Sequence, residues 1–218
     1  GQPGSGKSTL ARSAATGRIG RSSLGAAWQR QSALVKATFL ARTILDGPCV
    51  ARAMKVAISA RLFRGDSLTR LGRLLIKSHW FRLQGGRYLL EEGHLQDLWS
   101  IFYSAAKTDP DPHLLAPLIS SLYRGLDAQI IFLDADADEL FNRIRGRTHG
   151  KSRLDRLAEL ELRQHLSATE HLARRIVDAA KLAGLRVEPV SASLPIEAMV
   201  DQARGVVHRL DSSPADRG

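Results

Sequence analysis

The first ten residues, GQPGSGKSTL, satisfy G-x-x-x-x-G-K-[ST] at every fixed position, through Gly1, Gly6, Lys7 and Ser8. Each residue type suits the handling of phosphate. Gly1, Gly4 and Gly6, with Ser5 between the last two, let backbone N–H groups curl around an anion with no side chain in the way. A helix that starts near Gly6–Lys7 and runs to about Ala15 points its positive end at the same anion. Lys7 reaches β- and γ-phosphates, the Ser8 hydroxyl ligates Mg²⁺, and Thr9 adds a second hydroxyl nearby. The chemistry is that of a magnesium-bound nucleoside triphosphate, with ATP the expected donor.

Two further groups of residues fit that chemistry. Glu91 and Glu92 close the stretch RYLLEEG. An acid at a strand tip beside a phosphate loop completes the Mg²⁺ shell or activates the attacking group, and Mg²⁺ prefers oxygen ligands. Strand alternation turns only one of the pair toward the site; Glu92 is the first choice and Glu91 the second. The stretch NRIRGRTHGKSRLDR gathers Arg143, Arg145, Arg147, Lys151, Arg153 and Arg156 around Gly146 and Gly150. Guanidinium groups on a glycine-rich segment make a basic lid that forks onto phosphate oxygens and excludes water on closing. Asp134, Asp136 and Asp138 resemble a metal set but stand where helix N-caps belong, and are read as caps. The histidines show no ligand spacing; His94, just after the acidic strand end, is the one placed to face a substrate. Cys49 is alone and reads as a small buried hydrophobe.

The elements that position these groups alternate in type. Helical periodicity covers about Leu24–Leu45, ended by DGP (Asp46–Pro48), then Val50–Phe63, then a helix capped by Ser67 and running to about Leu83. Gly17–Ser23 reads as a flexible turn. Three strands follow at about Arg87–Glu91, Gln129–Asp134 and Arg186–Val190. The run Ile130–Leu133 is apolar throughout, as a strand covered on both faces requires. Helices are expected at Leu95–Ala106, His113–Tyr123, Ala137–Ile144, up to about Ala183 with Gly184 as the stop, and Pro195–Leu210. Helices alternating with buried strands imply an α/β fold with a parallel sheet. One domain over residues 1–210 is expected, with a helical substrate-side region at about 24–83, a lid at about 145–155 and a disordered tail at 211–218.

This order of motifs resembles the phosphate-loop nucleotide and nucleoside kinases, and within them the thymidylate kinase-like group. The resemblance rests on GQPGSGKST, YLLEEG, IIFLDAD with the following RIRGR, and VSAS with the following PIEAMV. It implies a three-layer, helix-rich phosphate-loop fold and ATP-dependent transfer to a small acceptor. It also implies that Ser191, Ala192 and Ser193 lie by the base, and that Arg147 and Arg153 touch the donor phosphates, with Arg143 on the nucleotide side. Those enzymes commonly carry Asp-Arg-aromatic or Glu-Arg-Ser after the acid-tipped strand. Glu92, Gly93 and His94 stand there in this chain, which leaves the acceptor open.

The net charge of +10 and the pI of about 10.4 admit a second class of partner, the backbone of a nucleic acid. The basic residues are spread along the chain and aromatics are only 6%, without interleaving, so a base-stacking platform is not favoured. The alternative to a kinase is a phosphate-loop ATPase or switch acting on a protein or nucleic acid. No apolar run long enough to span a membrane occurs, and a cytoplasmic location is the expectation. A phosphate-loop sheet normally has a central strand feeding the loop, and none precedes Gly1. The expectation is a missing first strand, leaving a slot lined by Leu89 and Ile131 with Gly1 at its mouth.

Overall fold

The computed structural model describes residues 20–21, 30–63, 66–83, 88–89, 93–146, 154 and 157–212. In chain order these form β1 (Gly20–Arg21), α1 (Ala33–Leu45), α2 (Gly47–Ser59), α3 (Ser67–Phe81), β2 (Tyr88–Leu89), α4 (His94–Ser104), α5 (Pro112–Leu122), β3 (Gln129–Asp134), α6 (Ala137–Arg145), α7 (Glu159–Leu182), β4 (Arg186–Ser191) and α8 (Ile196–Ser212). The fold is helix-rich α/β. Parallel strands cannot be joined by a hairpin and need a crossover, which α6 and α7 supply between β3 and β4. The described strands form two parallel pairs, β1 with β2 and β3 with β4, instead of one continuous sheet. Gly20–Arg21, expected as turn, is extended and pairs with Tyr88–Leu89. Gly1, at the expected slot, lies outside the described residues; Leu89 pairs with Arg21, and Ile131 with Glu188.

Local chemistry sets the helix ends. The described part of the expected Leu24–Leu45 helix begins at Ala33, where Ser32 accepts from the Val35 N–H at 3.3 Å and supplies a cap. Asp46 separates α1 from α2 by itself. Its N–H donates to the carbonyls of Arg42 and Thr43, closing α1, and its carboxylate accepts from the Cys49 N–H at 3.3 Å, opening α2. α3 takes Asp66 as its cap position in place of Ser67, and the Asp66 carboxylate turns to Arg70 at 2.7 Å. α2 stops at Ser59, short of Phe63, because Arg61 enters the left-handed region at φ 53° and Leu62 N–H reaches back to the Ala57 carbonyl at 2.8 Å. α4 closes the same way through Ala106 at φ 53°, with Lys107 N–H bonding the Phe102 carbonyl at 2.9 Å. α7 does so through Gly184 at φ 83°. α8 continues through Ser212, so Asp211 and Ser212 belong to a helix and not to a tail.

Two apolar cores share α7. The larger joins α2, α3, α4 and α5 to the C-terminal half of α7, with Leu62, Leu98, Phe102, Leu118 and Leu172 all fully buried. The smaller sets Leu133 of β3 and Val190 of β4 against α6, α8 and the N-terminal half of α7, where Leu162 and Leu166 are buried. β3 is less enclosed than its apolar run suggests. Only Leu133 is buried; Ile130, Ile131 and Phe132 stay half-buried, since β4 is its one strand partner among the described residues. Among the described residues no helix is long and apolar enough to cross a membrane.

Candidate functional site

In open parallel sheets, ligands bind beyond the carboxyl ends of the strands. β3 and β4 run in register from Gln129 opposite Arg186 to Asp134 opposite Ser191, so their ends are level. The ladder continues one step into the loop, where Ala192 N–H donates to the Asp134 carbonyl at 2.8 Å. α6 then brings Arg143 to the same place. Its guanidinium donates to the Ala192 carbonyl and pairs with Glu139, one turn back, at 2.7 Å. Arg143, Ser191 and Ala192 are therefore brought together at one strand end. Ala192 is fully buried, while Ser191 is exposed, its hydroxyl 2.6 Å from that of Ser193 and accepting from the Ser193 N–H at 3.3 Å.

The three aspartates nearby are divided in role. Asp136 caps α6, accepting from the Glu139 N–H at 2.6 Å. Asp134 and Asp138 do not cap. Asp134 pairs with Arg174 of α7 at 3.1 Å, and Asp138 pairs with Arg163, whose guanidinium also lies 4.1 Å from the Phe141 ring centre. Both face α7, which runs alongside α6 and supplies the cations. Among the described residues no group of carboxylates, histidines and cysteine has the arrangement of a metal site.

No protein-family model matches this chain, and neither a curated protein nor a solved structure matches it significantly.

The phosphate-side candidates Gly1, Gly4, Ser5, Gly6, Lys7, Ser8 and Thr9 lie outside the described residues, as do Glu91, Glu92, Arg147 and Arg153. Arg145, the last residue of α6, is folded onto Phe141 at 5.6 Å and donates to the Leu157 carbonyl at 3.0 Å. The basic segment thus leaves α6 with its first two arginines already tied down. His94 does not face a substrate. It is 3% exposed, edge-on to Phe81 at 5.0 Å and Tyr123 at 5.2 Å. Burial, followed by the charges of Lys77 and Arg82, pushes its pKa down to about 3, so it is a neutral core ring. Burial likewise raises the Cys49 thiol, which is inert in the core.

Two features escaped the sequence reading. Glu170 and Arg174, one turn apart on α7, reach the strand ends: Glu170 accepts from the Ala137 N–H at 3.0 Å, and Arg174 spans Glu170 and Asp134. The i, i+4 acid-to-base spacing in TEHLAR was the available signal. The second is a cavity of about 700 Å³ between α1, α3 and α4. Its cations Arg70, Arg73 and Lys77 recur at helical spacing along one face of α3, a pattern legible in SLTRLGRLLIKSHW.

Proposed function

We propose that this chain is an ATP-dependent phosphotransferase of the phosphate-loop kinase class, thymidylate kinase-like in its order of motifs and transferring to a small acceptor. The observation that carries the reading is the complete G-x-x-x-x-G-K-S match at Gly1–Ser8. The parallel β3–β4 pair, its helical crossover and the strand-end loop at Ser191–Ser193 support it, because a three-layer phosphate-loop fold is assembled from such units.

The donor set fits a magnesium–nucleotide in its chemistry. It offers a lysine and glycine amides for phosphate oxygens, and a hydroxyl and carboxylates for a hard cation. Lys7 and the amides of the loop hold the β- and γ-phosphates. Ser8 and one acid of the Glu91/Glu92 pair, Glu92 first, hold Mg²⁺, and an acid of that pair orients the acceptor. Arg147 and Arg153 neutralise charge developing on the transferred group. The tie from Arg143 to Ala192 holds the base-side loop at the strand end. Bound Mg²⁺–ATP supplies the phosphoryl group. ADP release measured across a panel of small phosphate acceptors tests the reading. An acceptor-dependent rate supports it; turnover stimulated only by a protein or a nucleic acid overturns it in favour of an ATPase or switch.

A further inference from the structure

The cavity between α1, α3 and α4 is built differently from the strand-end site. Its floor is apolar: Leu74 and Ile101 are buried, and Leu40 of α1 forms a wall. Its rim is cationic, carrying Lys36, Arg70, Arg73 and Lys77 against the single carboxylate of Asp97. Two of these cations are fixed in place by α4. Arg70 donates to Ser100 Oγ at 3.1 Å and Ser104 Oγ at 3.0 Å while its Nε pairs with Asp66 at 2.7 Å, and Lys77 bonds Asp97 at 2.8 Å. Arg73 lies between them on the same helix, exposed, and makes no ion pair among the described residues. A volume of about 700 Å³ falls within the roughly 300–1,000 Å³ usual for small-molecule sites.

We propose that this cavity binds a small organic phosphate, its anionic end on Arg73 and Arg70 and its apolar body on Leu40, Leu74 and Ile101. Charge decides the sign of the ligand: Asp66 offsets Arg70 at 2.7 Å and Asp97 offsets Lys77 at 2.8 Å, while Arg73 stays a cation with no ion pair among the described residues. Arg73 offers a planar fork that matches phosphate oxygens, and Arg70, three residues back on the same helical face, adds its remaining terminal nitrogen beside it. The apolar floor requires a body as well as a charge, which separates the ligand from a bare ion. The concave shape and modest volume favour a small molecule over a polymer. Its lining among the described residues comes from α1, α3 and α4, and the proposal rests on these residues alone, whether or not the phosphotransfer reading holds.

Phenyl phosphate, phenol and inorganic phosphate, titrated calorimetrically into the full chain at low ionic strength, test it. Phenyl phosphate should bind, and phenol and inorganic phosphate should bind at least about tenfold more weakly. Arg73→Ala should weaken phenyl phosphate about tenfold or more, as the loss of a hydrogen bond to a charged group does. Leu40→Ser, at a half-exposed wall position, should weaken it while leaving the fold intact by circular dichroism. Lys7→Ala should leave it unchanged. The proposal is overturned if Arg73→Ala binds as well as the parent, if inorganic phosphate binds as tightly as phenyl phosphate, or if Lys7→Ala abolishes the binding. That last outcome would place the anion at the phosphate loop. Comparing AMP with phenyl phosphate then tells a nucleotide from another organic phosphate.

Discussion

Asp46 and His94 show how much a single side chain decides here. Asp46 is nearly buried, caps α2, and lies 3.6 Å from Arg82 and His79 and 3.8 Å from Arg124. Burial, followed by the charge of Arg82, pushes the His79 pKa down, so the contact with His79 involves a neutral ring. The carboxylate is thus the counter-charge for the largely buried guanidinium of Arg82, which also donates to the Ser121 carbonyl, and for the half-exposed one of Arg124. Asp46→Ala removes cap and counter-charge together and should lower stability by about 2–4 kcal/mol in denaturant unfolding. Asp46→Asn keeps an acceptor for the cap and should lose less. His94 gives a pH signature. In the fold it stays neutral down to about pH 3, whereas the unfolded imidazole takes up its proton near 6.5. The stabilisation is complete above pH 6.5 and is lost as the pH falls toward 3, by about 1.4 kcal/mol per pH unit once well below 6.5. His94→Phe should flatten the stability curve between pH 6 and 4.5; an unchanged slope would assign the acid sensitivity elsewhere. Neither role was legible from residue type. Asp46 was visible as a helix stop but not as a charge hub, since its partners come from α3 and the turn after α5. His94 was placed by its neighbours in sequence, while its surroundings are set by Phe81 and Tyr123, distant in the chain.

At the scale of elements, the three left-handed helix ends separate what sequence can and cannot announce. Gly184 was readable as a stop because glycine tolerates positive φ. Arg61 and Ala106 take the same conformation without any cue, held by the burial of Leu62 and by the closing hydrogen bonds of each turn. Ala106→Gly should therefore stabilise the protein by up to about 1 kcal/mol, and Gly184→Ala should destabilise it by about 1–2 kcal/mol. Thermal midpoints of the two variants, moving in opposite directions, check this. The strands β3 and β4 agree with the sequence reading almost to the residue, because apolar runs bounded by turn residues have few alternatives. β1 did not, since Gly20–Arg21 has no strand pattern of its own and is extended only through its pairing with β2. The resemblance singles out Ser191–Ser193 but not the arginine and acid that reach Asp134 and the Ala137 N–H from α7, because helical charge pairs look the same wherever they point.

Across the whole molecule, α7 ties the two cores into one unit. Leu166 serves the core against β3, β4 and α8, and Leu172 serves the core of α2 to α5, two turns along the same helix. Leu166→Ala and Leu172→Ala should each cost about 2–5 kcal/mol, and in both variants the two cores should unfold in a single transition. Trp99, stacked on Tyr103 at 4.9 Å beside the larger core, reports that core by fluorescence once Trp28 and Trp80 are replaced by Phe, and far-ultraviolet circular dichroism reports the whole chain. Coincident midpoints are expected, and separated ones would show two independent units. The charge of +10 also belongs to this scale: it adds a general attraction for anions, so specific binding must be distinguished from it by single-residue variants at fixed salt. The most direct measurement is the affinity of the chain for Mg²⁺–ATP compared with that of Lys7→Ala, by calorimetry in the same buffer. Saturable one-to-one binding that falls by at least about tenfold in the variant is the predicted result. Equal affinity in the two proteins would contradict a phosphate-loop site at Gly1–Ser8.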